Sequence, residues 1–269
     1  MSAASEVPTP ADATSAVPAP VVPALVVRGA TKRFGAVVAL EDVDLRVSSG
    51  EVLAVLGDNG AGKSTLIKCI SGVHRLDAGV IEVDGSVVHM SSPAVARAAG
   101  IETVYQDLAL FDNLDATANF FAGREEAGPR WMPRGLRWMR SKAMTDRSRE
   151  LVGRLKINLP EKASSVGMMS GGQRQAIAVA RASAFASRVV ILDEPTAALG
   201  LRESRQVLDL ILRMRDEGCA VIVISHAMDH VMEVADRAMV MRRGRVVGEE
   251  IPRPENRTRL VSLIVGGDD

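Results

Sequence analysis

Nine residues, Gly57-Asp58-Asn59-Gly60-Ala61-Gly62-Lys63-Ser64-Thr65, set three positions without a side chain beside a cation and two hydroxyls. Backbone N–H groups around Gly57, Gly60 and Gly62 can turn inward as a concave nest of donors for phosphate oxygens. A helix starting near Lys63 points its positive end at the same anion. Lys63 adds a full charge for β and γ phosphates, and the Ser64 hydroxyl can sit on Mg²⁺. A chance match to this spacing in a chain of 269 residues has a probability on the order of 1%. A glycine turn that binds nothing is therefore a poor alternative.

Five further stretches carry chemistry. Val189-Val190-Ile191-Leu192 delivers Asp193 and Glu194 to a strand end, where Asp193 can hold Mg²⁺ and Glu194 can orient water toward a γ-phosphate as general base. Adjacent unpaired acids repel, and a bound Mg²⁺ resolves the repulsion. Ser170-Gly171-Gly172-Gln173 opens a helical pattern, with the Ser170 hydroxyl and glycine N–H groups facing outward as a second anion site. Alone it is no more than a helix cap; its place between the other two motifs gives it weight. His226 follows the apolar run Ala220 to Ile224 and falls at the carboxyl edge of the same inferred sheet as Lys63 and Asp193. There it is either a satisfied structural histidine or a contact to the γ-phosphate that keeps water and Glu194 in line. His230, four residues on, could face it, but no other ligand set supports a metal pair. Gln106, after Ile101 to Tyr105, is a polar strand end or a ligand for Mg²⁺ or the attacking water. Phe34, beside Gly35, is core packing or an exposed ring that stacks on adenine.

These groups need strands to end where they stand. Val52 to Leu56, Val189 to Leu192 and Ala220 to Ile224 read as buried parallel strands, each apolar throughout. Leu25 to Arg28, Val37 to Leu40 and Val43 to Val47 read as three short strands, Val80 to Gly85 as a strand and turn, and Met239 to Val247 as a hairpin around Arg243-Gly244. Helical patterns cover Pro93 to Ala99, Ala116 to Ala122, Ser141 to Leu155, Ala176 to Ala182, a stripe of Val207, Leu208, Ile211, Leu212 and Met214 ending at Gly218, and a last short helix near Leu260 to Val265. Residues 1–24, with five prolines and no Lys or Arg, read as a disordered tail rather than a secretory signal. Pro129 to Arg140 holds both tryptophans and four arginines, either an interfacial patch or a solvated basic loop; Pro133 and Gly135 argue against one long helix.

Composition is that of an ordinary globular chain: 47% hydrophobic, 25% charged and a net charge of zero, which excludes a general bias toward nucleic acid or anionic membrane. Aromatics at 3% leave no stacking platform for single strands. Cys69 and Cys219 are too few for a disulfide framework and fit a reducing compartment. No apolar run has the length to cross a bilayer.

In this order the motifs resemble the ATP-binding subunits of ABC transporters, over roughly residues 25–265. Gly57 to Thr65 is similar to Walker A, Gln106 to the Q-loop glutamine, Met169 to Gln173 to the LSGGQ signature with Met for Leu, Ile191 to Glu194 to the end of Walker B, and His226 to the switch histidine. Phe34 resembles the family's adenine-stacking aromatic. The resemblance implies an α/β fold of the P-loop NTPase ABC type, a RecA-like parallel-sheet core with an antiparallel β subdomain and an α-helical subdomain inserted at about 107–185. It implies ATP as substrate and Mg²⁺ as cofactor, held by Ser64, Gln106 and Asp193. It also implies a homodimer in which ATP on one copy is capped by the other's Ser170-Gly171-Gly172, docked to transmembrane permease subunits at the cytoplasmic face of the membrane. One departure stands out: Gly200 occupies the position of the family's D-loop aspartate, so a cross-dimer contact is missing or made by backbone. Glu194 to Gly200 resembles the simple-sugar importers of the ribose, xylose and fructose class, in the single-domain, fructose-type form, which implies a periplasmic sugar-binding protein as a further partner. An amino-acid or lipid cargo is the alternative within transport. A soluble ABC-type ATPase on ribosomes or DNA predicts two nucleotide domains, a coiled-coil insertion or a basic face, none visible in the sequence. A small-molecule P-loop kinase leaves Ser170 to Gln173 and His226 unexplained.

Overall fold

A computed structural model describes residues 22–128, 138–154, 165–197 and 199–266. The tail ahead of residue 22 and most of the Trp/Arg segment, 129–137, lie outside the described residues. Ala24, read as tail, is fully buried, and its carbonyl accepts the Asp84 N–H.

The described residues form two sheets. The antiparallel one runs β2 (Val37–Val47), β1 (Leu25–Phe34), β4 (Ala78–Val83), β5 (Ser86–Val87) in spatial order. The other runs β10 (Arg245–Glu250), β9 (Arg237–Arg242), β3 (Val52–Leu56), β8 (Ala220–Ile224), β7 (Val189–Asp193), β6 (Ile101–Val104), parallel except for the β9–β10 hairpin. Val37–Leu40 and Val43–Val47 are one strand rather than two. Asp42 passes through φ 52°, so the chain bulges against β1 and continues, its N–H held by the Thr31 hydroxyl.

The central strands are apolar at every position because both faces are covered. Leu53 and Val55 of β3, Ile191 of β7 and Ile222 of β8 pack under α1 (Lys63–Ile70) and the antiparallel sheet. Val52, Val190, Leu192, Val221 and Val223 pack on the other face, against α5 (Gly171–Phe185) and α6 (Leu201–Asp216). Ala54 and Leu56 meet α7 (Met228–Val234) and α8 (Arg257–Val265). The helix α2 (Pro93–Ala98) starts on a Ser92 cap.

Within residues 107–185, α3 (Ala116–Phe121) and α4 (Ser141–Arg154) pack on α5. Phe120 and Phe121 of α3 and Met144 of α4 belong to the same buried cluster as Ile177 and the sheet residue Leu192. Among the described residues the helical insertion thus shares its core with the sheet, and α5 serves both. Among the described residues no helix is long and apolar enough to cross a membrane.

Candidate nucleotide-binding and hydrolysis site

Because β8 lies between β3 and β7, and β6 borders β7, the residues that follow these four strands converge at one carboxyl edge. Val55 and Asp193 both stand in register with Ile224. Asn59 to Thr65, Gln106, Asp193, Glu194 and His226 line a single cleft of about 340 Å³ together with Val37, Val38 and Ala39. Asp58 lines its continuation toward Ala197.

The loop is built to approach an anion with backbone. Gly57 has φ 144°, and a Cβ there would run into the Met241 carbonyl oxygen; a Cβ on Gly62, φ 104°, would stand 2.8 Å from the Ala39 carbonyl oxygen. Lys63 is buried, 6% exposed, and its Nζ donates to the carbonyls of Gly57 at 2.7 Å and Asp58 at 2.9 Å. An ammonium has three donors, so one remains for a phosphate oxygen. Burial lowers the Lys63 pKa, while Glu194, Asp193 and Asp58 oppose the drop.

Opposite it, burial raises the carboxyl pKa of both Asp193 and Glu194; Lys63 works against the shift at Asp193 and His226 against that at Glu194. The His226 Nε2 lies 3.1 Å from Glu194 Oε1 without the alignment of a hydrogen bond, and Oε1 is buried with no hydrogen-bond partner. Glu194 itself is held at φ 51°, a sparsely populated backbone for a glutamate, by its N–H bond to the Ile224 carbonyl. A buried acceptor left bare and facing a polar cleft is a place for a water or a cation. The Ser64 hydroxyl, the Gln106 amide and the Asp193 carboxylate line the same cleft and offer hard oxygens, a donor set that fits Mg²⁺.

Three of the groups singled out in the sequence lie outside this cleft. His230 does not face His226: its Nδ1 is 2.9 Å from the Thr196 hydroxyl, so it ties α7 to the turn after Glu194. Phe34 is 45% exposed at the end of β1, its ring edge-on to His74 at 5.2 Å; Val37 to Ala39, past the turn, line the cleft instead. Ser170 to Gln173 do not line this cleft. Ser170 Oγ accepts the Gln173 N–H at 3.2 Å and Gln173 Oε1 accepts the Ser170 N–H at 3.0 Å, a reciprocal capping box that holds the turn and spends both side-chain acceptors internally. Ser170 and Gly171 are exposed, with a serine proton and glycine N–H left to donate.

Other supports carry no sequence signal, because their partners are far apart in the chain. The Tyr105 hydroxyl meets Ser71 Oγ at 2.6 Å and ties the segment before Gln106 to the end of α1. Arg181 of α5 donates to the carbonyls of Leu108 and Ala109, just after Gln106. Arg174 pairs with Asp112 at 2.7 Å.

Known proteins give this geometry a family. The sequence profile described as ABC transporter matches residues 40–197. The fructose import ATP-binding protein FrcA of Rhizobium meliloti is 46% identical over 248 residues, 92% of this chain and 95% of that protein. The xylose/arabinose import ATP-binding protein XylG of Sulfolobus acidocaldarius is 44% identical over 83% of this chain and 86% of its own length. The ribose import ATP-binding protein RbsA 1 of Rubrobacter xylanophilus is 42% identical over 91% of this chain, which spans 47% of that relative. In structure the chain is similar to the ADP conformation of the ATP-binding cassette MJ1267, with a TM-score of 0.76 over 91% of this chain and 99% of that one at 24% identity, a likeness of fold. With the profile covering more than half of the chain and three relatives above 40% identity over most of it, the chain belongs to the ABC transporter family.

Proposed function

We propose that this chain is the ATP-hydrolysing subunit of an importer for a monosaccharide of the fructose, xylose or ribose type. The single observation that carries hydrolysis is the cleft in which a buried Lys63, bound to two loop carbonyls, faces Glu194, whose Oε1 lacks a hydrogen-bond partner, with His226 beside it. The sugar rests on the names of relatives 42% to 46% identical to it.

In this reading Gly57 to Thr65 wrap the phosphates of ATP, and the free N–H of Lys63 meets the β and γ oxygens. Ser64, Asp193 and Gln106 would hold Mg²⁺, which would supply positive charge against that developing on the phosphates. Glu194 accepts a proton from the attacking water as its oxygen bonds to the γ-phosphorus and the bond to the ADP oxygen breaks. Burial raises the basicity of that carboxylate, which brings it nearer the working pH of a general base. His226 orients water and Glu194.

A single copy leaves the site half covered, since Ser170 to Gln173 face elsewhere. The two most exposed large apolar side chains among the described residues are Leu201, 91%, beside Gly200, and Met168, 82%, just before the signature turn. Exposure of this kind on two neighbouring motifs supports a second copy seated there head to tail. Permease subunits, a periplasmic sugar-binding protein and a peripheral place on the cytoplasmic face of the membrane complete the assembly.

Tagged protein purified from its native membranes should bring down a permease and a sugar-binding protein, and one monosaccharide should stimulate ATP hydrolysis after reconstitution. Recovery of ribosomal or DNA-associated proteins with no permease would sink the transport reading. Phe34→Ala should raise the KM for ATP about 5- to 100-fold through loss of base stacking while kcat holds; an unchanged KM would leave Phe34 to its contact with His74.

A further inference from the structure

Gly172, in the first turn of α5, is bare for a reason that is not its backbone, and Gly200, at the N-cap of α6, borders the same side chain. Gly172 is helical and Gly200 has φ −71° and ψ 170°, conformations open to any residue. A Cβ on Gly172 would run into Cγ of Glu203 and stand 2.6 Å from its Cβ, and a Cβ on Gly200 would stand 2.6 Å from its Oε2. One side chain in the first turn of α6 therefore fills a notch left by Gly172, with its carboxylate beside Gly200. Its carboxylate makes no hydrogen bond or ion pair among the described residues, so the contact is one of packing.

We propose that Glu203 is a positioning residue for ATP hydrolysis: its Cβ and Cγ pin the Ser170–Gln173 turn to the start of α6, and so set where the outward-facing anion site stands. The start of α6 follows directly on the turn that carries Glu194, so a rigid notch holds the capping turn of one site and the hydrolytic turn of the other in fixed relation within one chain. At Gly200 the close atom is only the tip of the Glu203 side chain, which can turn aside, so the interlock lies at Gly172. Coupling of this kind needs interlocked side chains rather than proximity, and the bare Gly172 backbone against Glu203 supplies the interlock. The inference rests on the head-to-tail dimer proposed above.

Two measurements test it. The first is a melting cycle without nucleotide: Gly172→Ala should lower Tm by several degrees in the wild-type background and by much less in Glu203→Ala, because the space is then vacant. The second is ATP-driven dimer formation in a Glu194→Gln background. Glu203→Ala should bind nucleotide as the monomer within about 2-fold of normal, since Glu203 does not line the cleft, yet dimerise at least about 5-fold more weakly. Glu203→Gln, which keeps both methylenes, should restore dimerisation. Additive Tm changes, undiminished dimer formation in Glu203→Ala, or a Glu203→Gln variant as defective as Ala would each overturn the proposal. Absence of any ATP-driven dimer with Glu203 intact would instead sink the head-to-tail reading and the positioning role with it, while the melting cycle would still report the packing.

Discussion

Glu194→Gln should lower steady-state ATP turnover by about 10²- to 10⁴-fold, the range for loss of a general base, or about 3–5 kcal/mol of barrier. Nucleotide binding should survive, because Lys63 and the loop are untouched and the neutral amide no longer repels the γ-phosphate. With hydrolysis blocked, ATP should hold two copies together, visible as a dimer on size exclusion that ADP does not support. The same substitution should stabilise the protein without nucleotide. Burial holds the Glu194 pKa above its ordinary 4.5, so the folded chain binds more protons than the unfolded one between that value and the raised one. Stability then falls as pH rises through this window, and at neutral pH the ionised carboxylate destabilises the fold. Gln removes that charge. Tm at neutral pH should exceed wild type, and the gain should shrink toward zero as pH drops to about 4.5. In the wild-type protein, turnover should fall as pH is lowered through the raised Glu194 pKa. Phosphate release within about 3-fold of wild type would take the base role away from Glu194.

What the sequence displays well is what physics makes local. Continuous apolar runs such as Val52 to Leu56 announce strands buried on both faces, and glycines at fixed offsets before Lys63 announce a loop that must bring backbone to an anion. From those runs the doubly covered parallel sheet and its carboxyl edge follow, and so does the meeting of Lys63, Asp193, Glu194 and His226 in one cleft. Contacts set by side chains distant in sequence do not announce themselves. Nothing in the spacing of His226 and His230 says that the second turns to Thr196, because helical spacing fixes a face and not a partner. The bulge at Asp42 keeps β2 whole through a bond from Thr31, on another strand. Glu203 reads as an ordinary acid in the first turn of a helix, where the macrodipole favours it; only the fold shows that the bare Gly172 makes room for it.

Lys63→Ala should remove nucleotide binding, with a loss of about 10²-fold or more in affinity, about 3 kcal/mol, as expected when one member of a buried charge-assisted set is deleted. Three groups lose their cation at once: the incoming phosphates, and the half-buried carboxyls of Asp193 and Glu194, whose pKa values Lys63 currently draws down against the rise caused by burial. Their pKa values should therefore climb further in the variant, and the carbonyls of Gly57 and Asp58 lose the donor that now satisfies them at 2.7 and 2.9 Å. The effect on the nucleotide-free fold is a balance of opposite signs. Deleting an ammonium that is desolvated in the cleft stabilises, and stranding two acids destabilises, so a modest change in Tm is expected beside the large change in binding. The decisive comparison is the shift in Tm on adding Mg·ATP: several degrees in the wild type through ligand linkage, and none in Lys63→Ala at the same concentration. A variant that still gains stability from ATP as the wild type does would place the phosphate cradle somewhere other than this loop, and the cleft between β3, β7 and β8 would lose its claim to the reaction.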